Sequence, residues 1–185
     1  MKVLDPRRFG LVCAAAAVVA GLTVAGCAET LEGTATPNAA ELSSYKTEAA
    51  ASSAAATSSR RAAAQAQAVS ENCAQFPTTS GLGVKAYNDF VDAHDSNAPD
   101  YAAKRDAAST TLEDAATKVE TGVTAAAGAL PDDLAAKFSE YVTAARALAA
   151  ETRRMTYTAQ VGPLNDASKR VNDARNTVRE TCPKR

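Results

Sequence analysis

Apolar side chains recur along the C-terminal two-thirds of the chain at intervals of three and four residues, the spacing that lines one face of an α-helix. The clearest run is Leu134, Phe138, Tyr141, Ala145, Leu148, Thr152 and Met155, whose alternation of four and three is the seam of an antiparallel bundle. Pro131 opens this helix, and Asp132 and Asp133 put carboxylates at the positive end of its dipole. Upstream, Tyr101, Ala108, Leu112, Ala115, Val119, Val123, Ala126 and Leu130 form a longer stripe broken by Gly128 and Pro131. Asn97 or Ser96 is placed to cap that helix, with Pro99 in its first turn. A first helix is drawn from Val84, Tyr87 and Val91, with Phe90 beside them, and stops near His94-Asp95-Ser96-Asn97. Phe76-Pro77-Thr78-Thr79-Ser80 reads as a polar, proline-marked approach to it. A last helix turns Leu164, Ala167, Val171, Ala174, Val178 and Thr181 inward, and Asp166, Arg170, Asp173 and Arg179 outward. The fold class is therefore all-α, an up-down bundle of four helices. A three-helix arrangement follows instead if Gly162-Pro163 is only a kink in one long final helix.

The first 28 residues follow a different rule. Lys2, Arg7 and Arg8 precede an uncharged run of 20 residues from Phe9 to Ala28, which ends in Val24-Ala25-Gly26-Cys27. Positive, then apolar, then small is the order of a secretory signal peptide. The closing four residues resemble a bacterial lipobox. That resemblance implies cleavage before Cys27, a diacylglycerol on its sulfur and an acyl group such as palmitate on its new amine. It places the protein at the cell membrane, lipid-anchored on the extracytoplasmic face. An uncleaved anchor is the competing reading, since about 20 apolar residues can span a bilayer. The Ala, Gly and Thr content of the run weakens it. An ordinary cleaved signal exports the chain equally.

Residues 28 to 72 read as a low-complexity tether. Gly33 and Pro37 make its start irregular, and from Glu41 to Ala68 it is Ala, Ser, Thr and Gln around Arg60 and Arg61. From Glu41 on, Leu42, Tyr45 and Val69 are the only larger apolar residues, so no continuous face exists to pack, and a transient helix or a disordered linker is expected. A flexible coil of that length spans roughly 35 to 40 Å. The domain organisation is thus 1–26 signal peptide, 27–72 lipidated Ala/Ser-rich tether and 73–185 helical bundle.

Composition sharpens this. Of 20 basic and 21 acidic residues, the signal removes Lys2, Arg7, Arg8 and Asp5, leaving 17 and 20 and a net charge of about −3. That argues against a nucleic-acid binder, which needs a basic surface to displace counterions. Alanine supplies 45 of the 185 residues, and Trp is absent. Long alanine-rich helices follow, and a β-sandwich does not. Cys13 leaves with the signal and Cys27 carries lipid, so Cys73 and Cys182 remain to pair in an exported chain. In an even-numbered up-down bundle the start of the first helix and the end of the last share an end, which makes that disulfide natural for four helices. Two free thiols or a metal pair is the alternative, with no supporting histidines.

Candidate chemistry is sparse. His94 is the only histidine, and beside Asp92 and Asp95 it reads as an exposed helix-end residue rather than a ligand or base. No zinc spacing occurs, the calcium-like set Asp92, Asp95, Asn97 and Asp100 is interrupted by Pro99, and Gly81-Leu82-Gly83 lacks the third glycine of a phosphate cradle. The site assignment is lipidation at Cys27, a disulfide between Cys73 and Cys182, and no catalytic residue, metal or cofactor. The layout resembles the small alanine-rich lipoproteins exported by high-GC Gram-positive bacteria, which implies location but no activity. The expected function is a non-enzymatic binding or structural component of the cell envelope, with the membrane and an envelope protein as partners and no nucleic acid. The alternative is a carrier of haem or lipid in a pocket between helices, lined by Tyr141, Met155, Tyr157 and His94.

Overall fold

A computed structural model describes residues 38–184. The expected signal peptide, with Cys13 and the lipobox-like Val24-Ala25-Gly26-Cys27, lies outside the described residues. Four helices follow one another: α1 (Ala39–Asp95), α2 (Tyr101–Ala125), α3 (Asp132–Arg154) and α4 (Gly162–Thr181). The described residues contain no strand. The described turns up to Tyr45 belong to a unit of their own, and the second unit is Lys46–Arg185. In the first, Asn38 caps α1, its Oδ1 accepting from the Ala40 N–H at 3.0 Å. Everything below concerns the second.

The first helix departs most from expectation. Residues 46–67, expected as a transient helix or a disordered linker, are helical and exposed except for half-buried Thr57. Alanine's propensity carries this stretch without a packed face. The helix also runs straight through Phe76-Pro77-Thr78-Thr79-Ser80, so the proline marks no approach loop. Pro77 has no N–H to give the Cys73 carbonyl, one backbone bond that α1 forgoes. The inward face is set by Phe76, Ser80, Gly83 and Phe90, all buried, while Val84, Tyr87 and Val91 are only partly covered. Phe90, not its neighbours, is the anchor. A Cβ on Gly83 would stand 3.2 Å from Leu112 Cδ2, so the missing side chain lets α1 approach α2 closely.

Helix α3 lies in the expected phase: Leu134, Phe138, Tyr141, Ala145, Leu148, Thr152 and Met155 are all buried. Its contact with α2 is built from small residues, with Ala108, Ala116, Ala145 and Ala149 each at 0% exposure. Backbones that approach this closely can bond across the seam, and buried Ser109 Oγ donates to the Ala149 carbonyl at 3.0 Å. About one turn further toward the start of α2, Arg105 Nη1 donates to the Met155 carbonyl at 3.3 Å. Outside it, Arg146 makes two bonds to the Glu120 carboxylate, at 2.7 and 3.1 Å. Of the acid-first pairs readable in the sequence, Asp133 with Lys137 forms at 3.6 Å. Arg170 instead turns its Nε to the Asp166 backbone carbonyl.

α4 is tied to α1 at three levels. Cys73 is bonded to Cys182 with Cα atoms 5.6 Å apart. Arg175 Nε donates to Ser80 Oγ at 3.2 Å. Tyr87 lies against Ser168. These rungs advance by seven residues on α1 and retreat by seven on α4, two turns of an antiparallel helix pair in constant register. The bundle is four-helical, and Pro163 sits in the first turn of α4 instead of kinking a longer helix.

The connections are short. Asn97, at φ 49°, ends α1: its N–H bonds the His94 carbonyl, and the Ala98 N–H reaches back to Ala93. This is a Schellman closure. Ser96 and Asn97 therefore finish α1, and the position before α2 is Asp100, without a side-chain cap. After α2 the chain turns through Ala127 and Gly128 at φ 47° and 77°.

Burial pushes the Tyr141 hydroxyl from its ordinary 10 up to about 12, against a small opposing pull from the Arg175 charge. Between those values the unfolded chain has lost this proton and the folded one keeps it, so stability falls as pH rises. Two units of difference correspond to about 2–3 kcal/mol. Urea titrations at pH 9 and pH 12 should show that loss in wild type and a smaller one in Tyr141→Phe.

Candidate functional site

The closest gathering of chemically distinctive side chains lies where α1 hands over to α2 and α3 to α4. Tyr157, in the α3–α4 connection, stacks on Tyr101 of α2 with centroids 4.3 Å apart and planes 28° from parallel. His94, in the last turn of α1, stacks on Tyr157 at 5.7 Å and stands 5.7 Å from Tyr101. Phe90 continues the group inward, 5.6 Å from Tyr101. His94 and Tyr101 are too near each other to flank Tyr157 on opposite faces. One face of Tyr157 is therefore open, in keeping with its 49% exposure. Its hydroxyl donates to the Ala98 carbonyl at 3.2 Å, which pins the ring and ties the two connections together.

Beneath this ring Tyr101 is 6% exposed, and its hydroxyl has no hydrogen-bond partner in the structure. Desolvation raises its pKa, partly offset by the nearby Arg105 charge. His94 Nδ1 meets Asp95 Oδ1 at 3.1 Å, and its side chain is 25% exposed. It is thus part of an aromatic group and not a freely exposed helix end. The open edge carries Ser96, Asn97, Thr156, Thr158 and Gln160, all exposed, with Thr156 and Thr158 hydroxyls 3.4 Å apart.

The other sequence-derived candidates separate. Tyr141 and Met155 belong to the core and stand roughly 20 Å apart along α3, so these two and the His94–Tyr157 pair do not meet in one pocket. Tyr141 packs instead on Phe76, rings 4.8 Å apart. Among the described residues no cluster of three His, Cys, Asp or Glu could hold a metal. Cys73 and Cys182 come together as paired sulfurs. Open grooves lie between helices, one of about 600 Å³ between α1 and α2 lined by Ala64, Ala68, Gly122 and Ala125 among others. Periodicity finds Tyr101 but not its neighbours at the tip, because His94, Ala98 and Tyr157 belong to helix ends and turns. An isolated Tyr between threonines just before Gly162-Pro163 is the one signal that points there.

No curated protein and no solved structure matches the chain. The family model named Rv2240c four-helix bundle domain matches residues 55–183, starting inside the exposed alanine-rich part of α1 and ending just past Cys182. Four helices in sequence and a match over more than half of the chain place this protein in the Rv2240c four-helix bundle domain family.

Proposed function

We propose that the chain is a lipid-anchored, non-enzymatic lipoprotein of the cell envelope, held on the extracytoplasmic face through Cys27 and presenting its helical bundle to a binding partner there. The observation that carries the reading is the Cys73–Cys182 pair. Disulfides persist in oxidising compartments and are rare in reducing ones, and the remaining thiol of the processed chain is the one in the lipobox-like motif. No described helix is long and apolar enough to cross a membrane. The α2–α3 seam of Ala108, Ala116, Ala145 and Ala149, all fully buried, favours a binding or structural role over carriage between those two helices. The resemblance to exported lipoproteins of high-GC Gram-positive bacteria supports the same location.

The test is the intact mass of protein taken from the membrane fraction. Loss of residues 1–26 with a diacylglycerol adduct on Cys27 is expected, together with a Cys27→Ala variant that keeps its leader. A native chain recovered from the cytosol at full length would overturn the reading.

A further inference from the structure

We infer that the tip built on Tyr157 is a glycan-docking platform, and that the partner presented to this bundle is a neutral polysaccharide chain. The inference deepens the envelope reading above and rests on it for the source of the glycan. Sugar rings carry apolar C–H faces and a rim of hydroxyls. They are recognised by a flat aromatic face with hydrogen-bonding groups around it. Tyr157 supplies the face: it is half-exposed, open on one side and backed by Tyr101 and His94 on the other. The bond from its hydroxyl to Ala98 fixes the ring before any ligand arrives, so little ordering is left for binding to impose.

Asn97, Thr156, Thr158 and Gln160 supply the rim, exposed neutral donors and acceptors on two connections tied by the Tyr157–Ala98 bond, while the Ser96 hydroxyl already donates to the Asp92 carbonyl at 2.7 Å. The charges nearby, Asp95 and Asp100 against Arg153 and Arg154, are of both signs. No single-sign field therefore favours an ionic ligand over a neutral one. Position fits as well, since α1 enters the bundle at the Cys73–Cys182 end and the aromatic tip is the opposite end.

The probe is the full chain with ¹⁵N-labelled amides, titrated with the β-1,4-linked tetramer of N-acetylglucosamine, with maltotetraose and with tetramethylammonium chloride. Saccharide shifts confined to residues 94–101 and 155–161, saturating with a Kd on the order of 1 mM, are expected. Tyr157→Ala should weaken binding at least tenfold, and Tyr157→Phe should stay within about threefold, since the face remains. Asn97→Gly suits the positive φ at that position and should weaken binding several-fold without disturbing the fold. The inference falls if neither saccharide shifts these amides at 10 mM, a concentration about tenfold above the expected Kd. It also falls if both Tyr157→Ala and Asn97→Gly bind as wild type, or if tetramethylammonium shifts the tip more than either saccharide. The Cys27 adduct is read separately by mass. A lipidated chain blind to both saccharides sinks this inference alone, and an unlipidated chain that binds them sinks the location alone.

Discussion

Removing the Cys73–Cys182 bond is expected to cost about 4–5 kcal/mol on the chain-entropy account of a cross-link that closes a loop of this length. The two cysteines are 109 residues apart, so the link constrains nearly the whole bundle in its unfolded state. For a chain of this size that corresponds to a fall in Tm of about 10–20 °C. The mechanism makes a sharper demand than the magnitude. If the effect comes from chain closure, Cys73→Ala, Cys182→Ala and the double variant should all lose the same amount, because the second substitution removes nothing the first has left. Urea denaturation of the three variants, with free thiols counted, checks it. Additive losses would mean that the side chains act through packing. Local consequences should follow the helix chemistry. Pro77 already denies the Cys73 carbonyl its helical donor, so without the link hydrogen exchange should rise first in residues 46–76.

The register of that bond shows why some of this molecule is legible in its residues and some is not. Helices α2, α3 and α4 announce themselves because their inward positions are large and apolar, as at Leu112, Phe138 and Val171. The inward line of α1 repeats every seven residues through Cys73, Ser80 and Tyr87 and meets Ser168, Arg175 and Cys182 on α4. It is written in a thiol, a hydroxyl and a phenol. A hydrophobicity pattern marks only Tyr87 on such a line, and beside it Gly83 offers no apolar side chain where α1 meets Leu112 of α2. The tendency to read Pro77 as a boundary compounds this. Tertiary contacts on both sides of Pro77, at Phe76 and Ser80, hold the helix together despite the lost bond. The tip is hidden for a related reason: His94 and Tyr157 come together through two connections, and periodicity says nothing about connections.

Phe138→Ala should be the most damaging truncation in the core, at about 3–5 kcal/mol. Phe138 is 1% exposed, and its ring meets Phe76 edge-on at 5.5 Å and 69°. Phe76 in turn meets Tyr141 at 4.8 Å and 81°. The three rings link α1 to α3 at the level where α1 has only Ser80 and Gly83 beyond Phe76 to offer the interior. Alanine elsewhere in these helices leaves little apolar area to compensate. Chemical denaturation of Phe138→Ala and Phe138→Leu measures both parts of the effect: the leucine variant keeps most of the volume and should lose less than half as much. A double-mutant cycle with Phe76→Leu isolates the ring contact, for which an edge-to-face pair predicts a coupling of about 0.5–1.5 kcal/mol. A Phe138→Ala loss below about 1 kcal/mol would fall outside the range for a buried aromatic and show that α1 is held to α3 by something other than these rings. The disulfide and the Arg175–Ser80 bond would then carry α1 through α4 alone.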